Sequence, residues 1–234
     1  MVDSSIHQWN DLFQQVLARL PITIWMLLAS LILGLALGVL IAIIRIQKVP
    51  VLHQAATVFI SFTRCTPLLV QLFLVYFGLP QLLMAFGIYI NDLAPIIFAV
   101  ATFSLHISAY LSEVIRSAYL AVGNDQLEAC YSVGMTYFQA LRRVILPQAF
   151  VLALPNMGNT VIELLKDTAL AFTIGVVDIM GQVRLIIGNN YGLGMFQVYV
   201  VISLVYWGAC AAIEVSIHQL EKRFTKGRVN VAKS

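Results

Sequence analysis

The chain has 234 residues, of which 60% are hydrophobic and only 11% are charged, and its mean hydropathy is +0.89. Soluble domains are about 45–50% apolar and about 25% charged, so this composition excludes an ordinary soluble protein and indicates an integral membrane protein. A net charge of +3 does not predict a nucleic-acid partner. The three cysteines stand far apart, without the spacing of a metal site.

Residues 1–20 precede the first long apolar run and lack the uninterrupted apolar core of a secretory signal. Ser5-x-x-Gln8 forms a capping-box pattern that predicts the start of a helix. Apolar residues then recur on one helical face, at positions 6, 9, 13, 16, 17 and 20. The segment is therefore predicted to be an interfacial helix that lies on the bilayer surface.

Five later stretches are predicted to cross the membrane, at about residues 22–44, 57–77, 93–111, 148–166 and 196–217. The first is free of charge and would extend about 35 Å as a helix, enough to cross a hydrocarbon core of about 30 Å. It contains Gly34 and Gly38, a spacing that lets another helix approach closely. Residues 167–194 are interrupted by glycines, which predicts a short re-entrant or outer-surface helix followed by a loop.

Residues 113–147, which we call the elbow, form the longest polar interval between apolar runs. Asp125-x-x-Glu128 and Thr136-x-x-Gln139 are capping boxes, and each predicts the start of a short helix. Gly134 lies between them, where the first helix must stop in a left-handed conformation. Pro147 is predicted to end the segment.

Lysine and arginine are distributed unequally between the two sets of loops. Residues 45–56, the elbow and the tail after His218 contain ten of them, whereas the other loops contain only Arg19 and Arg184. Because positive residues accumulate on the cytoplasmic side, the N-terminus is predicted to lie outside, and the elbow and C-terminal tail inside. The expected organisation is an N-terminal helix (1–20), a transmembrane domain (21–220) with the elbow between helices three and four, and a cytoplasmic tail (221–234).

The elbow resembles the EAA loop of the membrane subunits of ATP-binding-cassette (ABC) importers. The match consists of Glu128-Ala129-Cys130, three residues, Gly134, nine residues, and then Val144-x-Leu146-Pro147. Cys130, Val144 and Asp125 depart from the usual residues of that pattern. The resemblance implies a coupling helix that docks on a separate ATPase subunit. The residues predicted to couple to the ATPase are Asp125, Leu127, Glu128, Ala129 and Gly134.

Three further stretches resemble the polar-amino-acid branch of these permeases. Residues 62–71 read FTRCTPLLVQ, where that branch has F-R-G-T-P-L-L-V-Q, with Cys65 in place of the glycine. Tyr110-x-x-Glu113-x-x-Arg116 precedes the elbow, and residues 166–170 read KDTAL, similar to K-D-T-S-L. The resemblance implies uptake of an amino acid that a solute-binding protein delivers, with ATP and magnesium bound by the partner ATPase. It also implies a bacterial cell (inner) membrane location.

Four charged residues are candidates for substrate contact: Arg64, Glu163, Lys166 and Asp167. An ionised side chain within a span costs about 2.5–3.5 kcal/mol or more, so it is expected to face protein or water rather than lipid. A zwitterionic amino acid needs a cation for its carboxylate, such as Arg64, and an anion for its ammonium, such as Glu163. Alternatively, the charges pair with each other as a structural lock, or Asp167 and Thr168 cap the following helix.

The sequence predicts a transport subunit rather than an enzyme. It contains no phosphate-binding loop, catalytic triad or metal cluster, so no cofactor is expected in this chain. Five spans without an internal repeat predict a two-fold interface with a second copy or a paralogue. The favoured substrate is a basic amino acid or cystine, since Glu163 adds a negative charge. The alternative is a stand-alone channel or secondary carrier for a small zwitterion, in which the elbow is an ordinary loop.

Overall fold

The computed structural model describes residues 2–225, and within them the side chains of residues 9–224. In this part of the chain, all regular secondary structure is helical. The α-helices are α1 (Val2–Leu17), α2 (Leu20–Ile46), α3 (Leu52–Cys65), α4 (Leu68–Phe73), α5 (Leu79–Met84), α6 (Pro95–Ala121), α7 (Asn124–Ser132), α8 (Tyr137–Ala140), α9 (Leu146–Asp167), α10 (Ile179–Asn189) and α11 (Met195–Thr225). Most of the predicted tail lies outside the described residues.

Four helical stretches among the described residues are long and apolar enough to cross a membrane: Trp9–Ile46, Pro95–Ala121, Tyr137–Ile174 and Met195–Phe224. A fifth span is present if a bent pair of helices is counted as one. The all-α, multi-span architecture is therefore confirmed. The short helix predicted within residues 167–194 is α10, which follows a 3₁₀ segment, Thr168–Ile174.

The predicted second span is not one straight helix, because the chain turns by 112° between α3 and the segment Leu68–Met84. Pro67 causes the break. It has no N–H group to donate to the carbonyl of Thr63, four residues earlier. It also disfavours a helical backbone at Thr66, which is extended with φ −108° and ψ 140°.

Two other prolines are accommodated within continuous helices by π-helical turns. Leu74–Gly78 precedes Pro80, and Leu141–Ile145 precedes Pro147. A proline ring clashes with the carbonyl four residues earlier, and the wider π turn contains that carbonyl in both cases. The prediction that Pro147 ends the elbow is wrong for this reason. The helix instead continues from α8 through the π turn into α9.

Helix α6 forms the centre of the main core, with Phe103, Ile107 and Leu111 fully buried. Helix α2 crosses it closely at the predicted glycine pair. A Cβ atom at Gly34 would lie 2.1 Å from Cγ2 of Ile107, and one at Gly38 would lie 3.1 Å from Cβ of Leu111. The two glycines therefore allow packing between α2 and α6 within the chain.

A second core joins α1, α10 and α11. Leu12 and Val16 of α1 are buried against these helices, whereas Trp9 and Phe13 of the predicted apolar face are exposed. The predicted capping role of Ser5 is wrong, because α1 already includes residues from Val2 onward.

Asp178 begins α10 and is completely buried. Its Oδ1 accepts a hydrogen bond of 2.8 Å from the N–H of Gly181, which caps the helix. Its Oδ2 is buried without a hydrogen-bond partner among the described residues. Burial raises the pKa of this carboxyl to about 6, and the hydrogen bonds from the backbone of Gly181 and Met180 oppose that rise.

Candidate functional site

Three of the four predicted substrate residues line a pocket between α6, α9 and the break at Pro67, which we call the α6–α9 pocket. Its volume is about 540 Å³, within the range of about 300–1,000 Å³ that is typical of small-molecule sites. Three segments line it: Thr66, Pro67 and Leu68 at the break; His106, Ile107 and Tyr110 on α6; and Thr160, Glu163, Leu164, Lys166 and Asp167 on α9.

Glu163, Lys166 and Asp167 all line the α6–α9 pocket. Glu163 and Lys166 are exposed in the single chain, and Asp167 is half-buried. None of them forms a salt bridge within the described part of the chain. The side chain of Asp167 does not cap the following 3₁₀ segment, and Thr168 donates back to the carbonyl of Leu165 at 2.6 Å. The alternative capping role of these residues is therefore wrong.

Arg64 lies at the edge of the pocket and is not among its lining residues. Its guanidinium carbon is 5.7 Å from the centre of the Tyr110 ring, which is the geometry of a cation–π interaction. It does not pair with Glu163 in the described structure. The alternative lock between Arg64 and Glu163 is absent there.

Gln71 and His106 form a hydrogen-bonded pair that is not among the site residues predicted from the sequence. Nδ1 of His106 lies 3.0 Å from Oε1 of Gln71. The amide nitrogen of Gln71 donates to the carbonyl oxygens of Thr63 and Thr66, at 2.8 and 3.0 Å. Gln71 therefore connects the broken helix to α6. His106 and Tyr110 are one helical turn apart, and this i,i+4 spacing is the signal that identifies them as neighbours.

A charge cluster lies below the pocket on α6, within the Tyr110-x-x-Glu113-x-x-Arg116 pattern. The carboxylate of Glu113 forms salt bridges with Arg45 of α2 and with Arg116, and Nε of Arg116 donates to it at 3.2 Å. Arg45 lies 68 residues away along the chain. The cluster therefore holds the end of α2 against α6, where the elbow begins.

The turn within the elbow has the predicted conformation. Gly134 has φ +79°, and its N–H donates to the carbonyl of Tyr131 at 2.9 Å. The N–H of Met135 donates to the carbonyl of Cys130 at 3.0 Å, which completes a Schellman motif. The capping box of Thr136 and Gln139 is confirmed, since both of its hydrogen bonds are present.

The other predicted capping box is wrong. Helix α7 begins at Asn124 after Gly123, and no side chain caps it. Asp125 therefore lies inside the first turn, where its negative charge still favours the helix N-terminus.

Four of the five predicted coupling residues are accessible to a partner. Asp125, Glu128, Ala129 and Gly134 are exposed, and Leu127 is half-buried. Helix α7 packs onto the chain through the buried Cys130. Large apolar side chains around this surface are also exposed, namely Tyr131, Val133, Tyr137 and Phe138. Exposed apolar groups on a polar segment are typical of a protein-binding surface.

A family model described as "Binding-protein-dependent transport system inner membrane component" matches residues 34–226. The chain belongs to this family of membrane-spanning transport subunits. It is 42% identical over 223 residues to the L-cystine transport system permease protein TcyL of Bacillus subtilis (strain 168), covering 95% of this chain and 92% of that protein. It is 36% identical over 218 residues to TcyB, an L-cystine permease protein of the same organism, covering 93% and 88%.

Solved structures have the same fold. A chain from a crystal structure of an amino acid ABC transporter with histidines superposes with a TM-score of 0.80 at 32% identity, covering 94% of this chain and 97% of that chain. An inward-facing MetNI methionine ABC transporter chain superposes with a TM-score of 0.65 at 18% identity, covering 96% and 100%. The second likeness concerns the fold alone.

Proposed function

We propose that this chain is the permease subunit of an ATP-driven importer that takes up a basic amino acid or cystine. The observation that carries the proposal is the α6–α9 pocket, which places Glu163, Asp167 and Lys166 around one volume of about 540 Å³. An ammonium group of the substrate would face the carboxylates, and its carboxylate would face Lys166. Similarity to the cystine permease proteins of Bacillus subtilis supports this substrate class.

The balance of charge in the pocket favours a substrate with an additional ammonium group. Two carboxylates and one ammonium line the pocket, and Arg64 is held at its edge against Tyr110. A basic amino acid has one extra cation. Cystine has two ammonium groups but also two carboxylates, so the similarity to the cystine permease proteins supports it rather than its net charge. Glutamate would bring a second carboxylate without a second ammonium group, and like charges brought close together repel each other.

The elbow is proposed to dock on an ATPase subunit at the cytoplasmic surface. Its small residue, Ala129, lies beside Glu128 on the exposed side of α7, where a partner can approach closely. The apolar side chains Val133 and Phe138 are 73% and 68% exposed. Burying them in a partner groove would add a favourable hydrophobic contribution to docking.

A second membrane subunit is proposed to cover the polar side of α9. Asn156, Asn159, Glu163 and Lys166 are exposed in the single chain, although they lie within the helical span Tyr137–Ile174. Polar and charged groups within a span face protein or a water-filled path rather than lipid. A second copy or a paralogue of this chain, facing α9, would provide both. A solute-binding protein would deliver the substrate from outside.

Reconstitution tests the proposal. The permease is placed in proteoliposomes with an ABC ATPase and a solute-binding protein of the same organism, and uptake of labelled L-cystine, L-arginine and L-glutamate is compared. We expect uptake of cystine or arginine that requires ATP inside and the binding protein outside, with little uptake of glutamate. Uptake by the permease alone, without the ATPase, would instead identify a stand-alone channel or carrier. Preferential uptake of glutamate would overturn the substrate assignment.

A further inference from the structure

The amide of Gln71 replaces the hydrogen bond that Pro67 removes. In an unbroken helix, the N–H of residue 67 would donate to the carbonyl of Thr63, and proline has no such group. Nε2 of Gln71 lies 2.8 Å from this carbonyl oxygen and donates to it. The carbonyl of Thr66 lies 3.0 Å from the same nitrogen.

These contacts determine which way the amide points. The hydroxyl of Thr66 donates to the carbonyl of Phe62 at 2.8 Å, so its oxygen is left to accept from Gln71 at 2.8 Å. The nitrogen of Gln71 thus faces three acceptors. A flipped amide would place its oxygen against the two carbonyl oxygens, without a proton between them. Oε1 must therefore point away from the break, toward His106.

The orientation of Gln71 in turn determines the tautomer of His106. Oε1 is an acceptor only, so Nδ1 of His106, 3.0 Å away, must carry the proton. A neutral imidazole has one donor and one acceptor nitrogen. Nε2 is consequently left as an acceptor. The ring lines the α6–α9 pocket, and its centre is 5.0 Å from that of Tyr110.

We infer that Gln71 is a positioning residue that holds His106 in the Nδ1–H tautomer, so that Nε2 accepts a hydrogen bond from an N–H group of the transported ligand. This inference rests on the proposed function, since it assigns the ligand to the α6–α9 pocket. It adds a neutral acceptor to the carboxylates of Glu163 and Asp167. The pocket therefore selects an ammonium or guanidinium group in two ways, by charge and by hydrogen bonding.

The tautomer is measured directly by ¹⁵N NMR of the assembled importer labelled with ¹⁵N-histidine. The signals of His106 are identified by their loss in His106→Asn, because protonated and unprotonated ring nitrogens resonate at well-separated positions. We expect a protonated Nδ1 and an unprotonated Nε2 in the wild type. The opposite tautomer would overturn the inference, and this result does not depend on how any Gln71 variant folds.

Two substitutions of His106 separate its two nitrogens. The amide of His106→Asn lies near the Nδ1 position, so it keeps the contact to Gln71 and removes the acceptor at Nε2. The amide of His106→Gln reaches the Nε2 position and restores an acceptor there. For L-cystine and L-arginine, we expect the apparent KM of His106→Asn to rise by about ten-fold or more, and that of His106→Gln to rise less. An unchanged KM in His106→Asn, or a smaller rise than in His106→Gln, would contradict the inference.

Gln71→Leu tests whether Gln71 acts through His106. It should raise the KM in the wild-type background and add little to the effect of His106→Asn, because the acceptor is already lost there. Equal and additive effects in both backgrounds would show that Gln71 does not act through His106.

Glu163→Gln separates the inference from the proposed function. If the ligand does not bind in the pocket, Glu163→Gln and His106→Asn both leave the KM unchanged whatever the tautomer. If only the inference fails, Glu163→Gln raises the KM and His106→Asn does not.

Discussion

Arg64 lies against Tyr110 and does not pair with Glu163: the guanidinium carbon of Arg64 is 5.7 Å from the centre of the Tyr110 ring, and Arg64 makes no salt bridge within the described residues. Glu163 is thus left without a cationic partner, on a pocket lined also by Lys166. This arrangement favours a role in binding over a role as half of a structural ion pair.

The first prediction therefore concerns Glu163→Gln, which keeps the shape of the side chain and removes its charge. Loss of a charge-assisted hydrogen bond of about 1.5–3 kcal/mol should raise the apparent KM for L-cystine or L-arginine about ten- to a hundred-fold. The amount of folded protein in the membrane should not change, and ATPase assembly should be normal. If Glu163 were part of a lock with Arg64, Glu163→Gln alone would lower the amount of folded protein, and adding Arg64→Gln to it would restore that amount. Uptake and membrane abundance are measured for both singles and the double.

The second prediction concerns the glycine of the elbow. Gly134→Asp should leave the permease inserted in the membrane, but uptake should be lost while ATP hydrolysis is either absent or uncoupled. A side chain at φ +79° strains the turn. Apart from the two adjacent residues, no atom of the described part of the chain lies within 4 Å of the new Cβ, so the side chain projects from an open surface.

Gly87→Asp is the matched control for the elbow substitution. Gly87 has φ +78°, its Cβ position is equally open, and it also follows a helix in a Schellman motif, with hydrogen bonds of 3.0 and 3.1 Å. Both variants should be strained to a similar extent, yet only Gly134→Asp should uncouple. If the ratio of uptake to ATP hydrolysis were the same in the two variants, the elbow would have no specific role in coupling.

The third prediction is the orientation of the chain in the membrane. Reporter fusions after residues 85 and 130 should report opposite sides, outside and inside respectively, because ten of the lysines and arginines lie in loops on the predicted inner side. Two reporters on one side would contradict the five-span topology. The bend at Pro67 leaves open whether α3 and the segment Leu68–Met84 together cross the membrane once, and the two reporters decide this.

The fourth prediction concerns the pH dependence of stability. The pKa of Asp178 is raised to about 6 by burial, against about 3.9 for an unfolded chain. The folded state therefore holds this proton more tightly, so stability falls as pH rises from about 4 to about 6 and stays at the lower level above that. A shift of about two pKa units corresponds to about 3 kcal/mol.

Asp178→Asn keeps an oxygen to cap the N–H of Gly181 and cannot ionise. The difference in melting temperature between variant and wild type in detergent should therefore grow in favour of the variant between pH 4 and pH 7. Asp92→Asn, at an exposed aspartate, should show no such trend. A wild type whose melting temperature rises relative to Asp178→Asn over this range would contradict the buried, protonated state.

Local sequence patterns predicted most of the helices and turns of this fold. They could not predict which residues distant in sequence contact each other. The glycine pair at Gly34 and Gly38 indicates a close helix contact, but nothing in the pattern identifies α6 as the partner. Likewise, the left-handed turn at Gly134 follows from local chemistry, and the ion pair between Arg45 and Glu113 spans 68 residues.

The errors have the same origin. Pro147 would interrupt a regular α-helix because it has no N–H group and its ring clashes with the preceding turn. Here the π turn Leu141–Ile145 accommodates it. The burial of Asp178 depends on how α10 packs against its neighbours, which no local pattern specifies. At the site, Glu163, Lys166 and Asp167 are recognisable as charges in an apolar chain, whereas His106 and Gln71 become meaningful only when the break at Pro67 brings them together.

One continuous helical stretch from Tyr137 to Ile174 connects the elbow to the pocket, so the two can move together as parts of one rod. From Thr136 to Glu163 the rod is about 40 Å long at 1.5 Å per residue, so a tilt of about 10° at one end displaces the other by about 7 Å. If the proposed ATPase docks on the elbow, a small rotation of that partner would be converted into a displacement at the pocket comparable to the size of an amino acid.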